Sequence, residues 1–394
     1  MNVILFNNTP SNYYPLSFTR PIAYFRIGIL TIKEKWEYFY GAVSVKTEDY
    51  LSEKFPLKIT KDNLWIDARV LPKKELITEL DNLRVGEALT RDGEIIAFRN
   101  GSFDTKKLNI IDSNSNFNFV HNICDIFTLN GQEIKNDFDR MYSEDKLKTH
   151  TSSEKLEQIK SSYIKIGNNP IWVEEGAKLQ YCILNTTEGP IYIGKDAEIM
   201  EGAIIRGPFA MLEKSVIKMG AKIYGSTTIG PYSKVGGEVN NVVFFGYSSK
   251  AHDGFLGNSV IGEWCNLGAD TNSSNLKNNY TEVKLWDYNK ENFKNTGLQF
   301  CGLIMGDHSK CAINTMFNTG TVVGVSANIF GSGFARNFIP SFSWGGNAGF
   351  SIYRLSKAFD VVEKVFSRRN LKLDSLEKDI LTCVYNMTKC YRKE

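Results

Sequence analysis

The chain has 394 residues, 42% of them hydrophobic and 23% charged, which is the balance of a globular protein with two or three domains, each with its own core. Lysine and arginine total 47 against 44 aspartates and glutamates, and a net charge of +3 gives no case for a nucleic acid or an anionic membrane as partner. Seven cysteines, none in a CxxC pair, give no case for a disulfide framework or a thiolate zinc site.

Val3 to Phe6 reads as a strand. Without a basic region before it, and at this length, it is neither a signal peptide nor a spanning helix, so a cytoplasmic location is expected. Ile29 to Phe39 reads as a helix with Trp36 and Phe39 on its apolar side, and Leu64 to Val70 as a second strand. The alternation is that of an α/β domain, expected over residues 1–150. A polar stretch at 146–162 marks the boundary, with a linker expected over 151–170.

Beyond it one phase dominates: Ile193, Ile199, Ile205, Met211, Ile217, Ile223, Ile229 and Val235 recur every sixth residue. A small residue usually follows four places on, as at Ala197, Ala203, Ser215, Ala221, Thr227 and Ser233. The phase returns at Met305, Cys311, Phe317, Val323 and Ile329. Such hexads mark a parallel β-helix, three to a triangular coil, with the apolar residue turned inward. It is expected over 171–346, with Cys311 as a small core residue. After Gly346 the spacing of Tyr353, Leu355, Phe359, Val362, Val365 and Phe366 turns helical, so 347–394 is expected to form amphipathic helices that cap or flank the solenoid.

The hexads break between Gly236 and Gly302, where insertions would project as loops from a rigid frame. Lys250 to Tyr280 concentrates His252, Asp253, Asn266, Asn272, Asn275, Lys277 and Asn278. An imidazole beside a carboxylate can act as a general base near neutral pH, and amides with lysines can hold a sugar and its phosphate. A lone histidine is more often a satisfied structural residue, but the polar cluster favours a site. Only four histidines occur and none stands in an HxxxxH pair, which argues against zinc.

Four segments carry a resemblance along nearly the whole chain: PLSFTRPIAYFRIGILTIKEKW from Pro15, the stretch from Lys250 to Tyr280, LQFCGLIMGDHSKCAINTMFNTGTVVG from Leu298, and FIPSFSWGG from Phe338. Together they resemble the variant bacterial family of bifunctional UDP-N-acetylglucosamine-synthesising enzymes, which join an N-acetylglucosamine-1-phosphate uridyltransferase to a glucosamine-1-phosphate N-acetyltransferase. The resemblance implies an α/β nucleotidyltransferase-like domain, a left-handed parallel β-helix, C-terminal helices and a homotrimer. It makes His252 the base that deprotonates the amine, with Glu238 or Asp253 orienting it. Asn266 and Asn275 become ligands of the sugar, and Ala269 the point where a main-chain amide meets acetyl-CoA, the co-substrate; Lys250 and Lys277 are expected, from their charge beside the amides, to hold the sugar and its phosphate. Asn240, Asn241 and Phe255 depart from the common form, where lysines and a tyrosine stand, so the sugar is held differently or differs.

The first domain departs further. The phosphate-cradling GxGTR loop is missing, leaving Arg20, Arg26, Lys33 and Lys35 to supply charge for a nucleoside triphosphate. Magnesium is expected there, yet Asp67 is the only acidic candidate near the usual position, with Asn130 and Asp137 as weaker ones. Two alternatives stay open: a monofunctional sugar acetyltransferase whose first domain only binds a nucleotide sugar or aids assembly, and a non-catalytic assembly subunit.

Overall fold

The structure is a computed structural model that describes residues 1–143 and 162–392. It divides into two compact units: 1–13, 19–25 and 30–123 form the first, and 14–18, 26–29 and 124–394 the second. The expected boundary at residue 150 differs from this division, and most of the expected linker lies outside the described residues. The physical reason is the helix Asn130–Ser143, which packs on the β-helix rather than on the sheet. Asn130 Nδ2 donates to Ser226 O at 2.6 Å, and its Oδ1 accepts from Gly28 N at 2.7 Å and from the Thr228 hydroxyl at 3.1 Å.

The first unit is built on a six-stranded mixed sheet in the order β2-β1-β3-β5-β4-β6, with β1 at Asn2–Phe6, β2 at Val43–Lys46, β3 at Asn63–Asp67, β4 at Glu87–Arg91, β5 at Glu94–Asn100 and β6 at Asn109–Asp112. The central β1 pairs in parallel with both β2 and β3. Ile4, Phe6, Trp65, Ala88 and Phe98 form the core on one face. The helix expected from Ile29 begins at Ile32, because Thr31 and Glu34 form a capping box that fixes its first turn. It ends at Gly41, whose φ of +73° suits only glycine comfortably. Trp36 is buried and donates Nε1–H to Val70 O, while Phe39 is only half-buried.

The second unit is the expected left-handed parallel β-helix. Its three faces stack in register, and every residue of the hexad phase lies inward. Along the second face Val173, Ile193, Met211, Ile229, Phe244, Ile261, Met305, Val323 and Ile339 follow one another directly. All are buried, Cys311 among the third-face residues included. One corner runs through positive-φ residues that are not glycine, among them Asp196, Lys214, Tyr232, Tyr247, Trp264 and His308. That conformation costs roughly 1–2 kcal/mol per residue. Stacking offsets part of it, with Tyr232 and Tyr247 rings 4.9 Å apart and Tyr247 and Trp264 4.2 Å apart.

The break expected between Gly236 and Gly302 is mostly not an insertion. Coils continue through it as strands Glu238–Gly246, Ser249–Lys250, Phe255–Glu263, Asn266–Leu267 and Asn272–Ser273. They are simply shorter, so the hexad count slips while the three-sided register survives. The true excursion is 274–302, which carries the hairpin Lys284–Asp287 with Asn292–Asn295 and stacks Trp286 on Phe338 at 4.1 Å.

Two helices, Leu355–Ser367 and Ser375–Met387, flank the solenoid as expected. Phe366 packs on Trp264 at 4.4 Å, and Arg392 donates to Ser341 O at 3.2 Å.

Candidate functional site

His252 and Asp253 lie exposed at the corner between the third and first faces. The turn is shaped by Gly254, at φ +111°, where a Cβ would stand 2.3 Å from Thr271 O. Only a residue without a side chain lets the two coils approach this closely. One coil on, Asp270 N–H donates to Asp253 O at 3.0 Å, and Ala269 O accepts from Asn314 N at 2.8 Å. The Ala269 N–H has no partner among the described residues. The edge therefore sets His252 and Asp253 of one coil beside Ala269 and Asp270 of the next.

Glu238 opens the first face of the preceding coil, in register with Phe255 and bonded through its N–H to Gly254 O at 3.2 Å. Asn266 points outward on the third face, between Ser249 and Lys310. The corner is thus flanked by an acid on one side and an amide on the other. Phe255 N–H donates to Asn272 Oδ1 at 2.8 Å, so that asparagine supports the backbone beside the corner.

Three expected ligands stand elsewhere. Asn275 belongs to the next corner, where its Nδ2 donates to Asn258 Oδ1 at 2.7 Å. Asn258 Nδ2 in turn meets Asn241 Oδ1 at 3.1 Å, forming an asparagine ladder up the solenoid. Lys277 lies in the excursion and donates to Glu282 O. Lys250 is an inward residue, 1% exposed, in the position that Val235 fills one coil below. Its Nζ donates to Gly236 O at 3.0 Å and to His252 O at 2.8 Å. Burial pulls its pKa down to about 8 despite the nearby carboxylates of Asp253 and Asp270. The hexad pattern missed it because a shortened coil moved it into the inward phase.

The cations expected to bind phosphate are largely interior, Arg20, Lys33 and Lys35 belonging to the first unit and Arg26 to the second. Arg20, Arg26 and Lys35 are buried, and Arg26 donates to Ile29 O. Lys33 pairs with Glu37 one turn along its helix. Asp67 is buried and clasped by Arg69, whose Nε lies 3.0 Å from both carboxylate oxygens and whose Nη2 lies 2.6 Å from Oδ2. Burial raises the carboxyl's pKa while the guanidinium pulls against it. Both lone-pair faces are spent, so Asp67 does not fit a magnesium ion. Asn130 and Asp137 do not join it: they belong to the second unit, where Asp137 accepts from Ile29 N at 2.9 Å and from Arg140 at 2.5 Å. Among the described residues no cluster of three or more histidine, cysteine or acidic side chains could hold a metal.

What the residue reading missed is a shallow crevice at the carboxyl ends of β1 and β2, lined by Asn7, Pro10, Pro21, Ala23, Lys46, Thr47 and Glu48. Neighbours of β1 leave it in opposite directions here, the switch point where open parallel sheets bind ligands. Asn7 Oδ1 accepts from Thr9 N at 2.9 Å, and its buried Nδ2 has no partner among the described residues. Its signal was available, since Asn7 directly follows the strand Val3 to Phe6.

Residues 3–146 match the model described as sugar nucleotidyl transferase. The chain is 31% identical over 145 residues to a bifunctional sugar-1-phosphate nucleotidylyltransferase/acetyltransferase of Sulfurisphaera tokodaii, covering 36% of each protein. It is 28% identical over 118 residues to the bifunctional protein GlmU of Methanocaldococcus jannaschii, covering 30% of this chain and 26% of that one. The matches thus span about a third or less of these curated relatives. Among solved structures, a Francisella novicida UDP-N-acetylglucosamine acyltransferase is 11% identical with a TM-score of 0.31, covering 57% of this chain and 88% of that one. No helix among the described residues is long and apolar enough to cross a membrane.

Proposed function

We propose that this chain is a bifunctional transferase of UDP-N-acetylglucosamine synthesis, acetylating glucosamine-1-phosphate at the His252 corner and binding UTP in the strand-end crevice for uridylyl transfer. The observation that carries the acetyl-transfer half is the corner where the exposed His252 and Asp253 lie one coil from Ala269 and Asp270. Its partners are acetyl-CoA, a sugar phosphate and a nucleoside triphosphate, and its working form is a cytoplasmic homotrimer.

An ammonium has no lone pair with which to attack a thioester. His252 takes a proton from the 2-ammonium group, Asp253 or Glu238 holding the resulting imidazolium in orientation, and the free amine adds to the thioester carbonyl. The N–H of Ala269, which has no partner among the described residues, is placed to receive the developing oxyanion. The adduct nitrogen gives up its second proton to solvent as the tetrahedral adduct collapses, the carbon–sulfur bond breaks, and the CoA thiolate leaves with the proton that His252 had taken. Asn266 supplies an amide to the sugar. The expectation that magnesium assists the first domain finds no fitting donor set at Asp67, so no step is routed through it.

That same Asp67–Arg69 clasp favours the second reading, a monofunctional acetyltransferase whose first domain binds a nucleotide sugar without transfer. One assay separates them. Protein incubated with acetyl-CoA, glucosamine-1-phosphate, UTP and magnesium is followed for free CoA and for pyrophosphate independently. Both products support the bifunctional reading and CoA alone supports the second. Pyrophosphate without CoA would sink the assignment of the corner. His252→Ala is expected to lower CoA release by roughly 10²–10⁴-fold, to a small residual rate, while leaving the thermal unfolding midpoint unchanged.

A further inference from the structure

A lysine inside a solenoid needs a reason. On the third face the inward positions run Ile199, Ile217, Val235, Lys250 across four successive coils, and the next coils continue with Leu267, Cys311 and Ile329. A hydrophobic side chain would satisfy the stack at the Lys250 position, and a buried ammonium is tolerated only where its hydrogen bonds do something a methyl cannot.

What they do is close a gap in the corner ladder. Two coils below, Gly220 N–H donates to Glu201 O at 3.0 Å; above, Asp270 N–H donates to Asp253 O and Asn314 N–H to Ala269 O. Main-chain bonds of this kind tie each corner to the one beneath it. The coils around Lys250 are shorter, and no main-chain N–H reaches the carbonyls of Gly236 or His252 among the described residues. Lys250 Nζ fills both roles from inside, at 3.0 Å to Gly236 O and 2.8 Å to His252 O. One side chain therefore joins two adjacent corners, and the second of those carbonyls belongs to the residue whose imidazole faces solvent.

We propose that Lys250 is a positioning residue for acetyl transfer: its ammonium, bridging the Gly236 and His252 carbonyls from within the coil, sets the backbone of the corner and so the reach of the His252 imidazole. This rests on the assignment of His252 as the base. A base must approach its proton within hydrogen-bond reach, and displacement of about 1 Å costs roughly a hundredfold in rate.

The test is a double-mutant cycle on the full chain. Lys250→Met keeps the stem and removes the donors; it is expected to lower kcat for CoA release by roughly a hundredfold, with KM for acetyl-CoA and for glucosamine-1-phosphate nearly unchanged. Made in a His252→Ala background it is expected to cause no further loss, because its effect passes through that imidazole. Lys250→Gln, which restores one donor, is expected to recover part of the rate, and it also serves if the Met variant does not fold. Full kcat in both Lys250 variants, or an equal loss with and without His252, overturns the proposal. A second readout needs no turnover: amide hydrogen exchange at 251–254 is expected to quicken in Lys250→Met. If the wild-type chain releases no CoA, the functional reading fails, and unchanged exchange at the corner would then refute the clamp separately.

Discussion

At the scale of single residues, ionisable side chains carry most of what is specific to this molecule, and two of them sit where composition gives no hint. Lys250 has a folded pKa near 8 against 10.5 for a free lysine, with burial as the cause. Below about pH 8 both folded and unfolded chains hold the proton; between about 8 and 10.5 only the unfolded chain does. Stability of the wild type relative to Lys250→Met should therefore rise across that window, by about 3 kcal/mol in total, as read by urea unfolding at successive pH values. A flat difference would mean that the ammonium is not desolvated. Asp67 gives the opposite kind of test. Its removal in Asp67→Ala leaves the half-buried Arg69 guanidinium with Glu94 and the Phe119 ring, with an expected loss of about 1–3 kcal/mol in chemical denaturation. Both side chains were read from the sequence as ligands, and both are spent on the protein's own groups. Sequence gives a residue's chemistry but not its partners.

At the scale of elements, the solenoid is held by stacks rather than by isolated contacts. Ile217 is fully buried between Ile199 and Val235, and Ile217→Ala should cost about 2–5 kcal/mol, measured by denaturant titration, because a coil fixed on both sides cannot collapse into the cavity. The asparagine ladder is a second stack. Asn258 combines φ +45° with bonds to Asn275 and Asn241, so Asn258→Ala should lose about 2 kcal/mol from the amide bonds and the strained conformation together. The hexad phase made the inward stack legible residue by residue, since each inward side chain repeats a position fixed by the coil. The corner ladders were not legible. Asn241, Asn258 and Asn275 are related only through coils whose shortened lengths the hexad rule does not supply, and Asn275 consequently looked like a sugar ligand.

At the scale of the whole molecule, each unit solves a different problem. The N-terminal sheet places its crevice where parallel strands diverge, a property of topology that follows once β1 lies between β2 and β3. The β-helix instead exposes edges, and its flanking helices cover one corner: Phe366 sits on Trp264, and His308 Nε2 stands 3.4 Å from Glu377. Phe366→Ala should cost about 3 kcal/mol, seen as a lowered unfolding midpoint in calorimetry, while CoA release at the His252 corner is retained. Loss of both together would tie the helices to the chemistry rather than to the scaffold.

By itself the sequence determined the class of each part, because local periodicity is written into the chain: an α/β beginning, a solenoid whose inward residues are named by their hexads, and helices at the end. It also marked His252 and its acidic neighbour as the chemistry worth testing. Only the tertiary structure decided that coils pass through the supposed break, that Asp253 and Ala269 share an edge with His252, and that Lys250 faces inward while Asp67 is clasped by Arg69. Those facts depend on which main-chain carbonyls and charged groups meet across coils and strands distant in sequence, and no local pattern records such meetings.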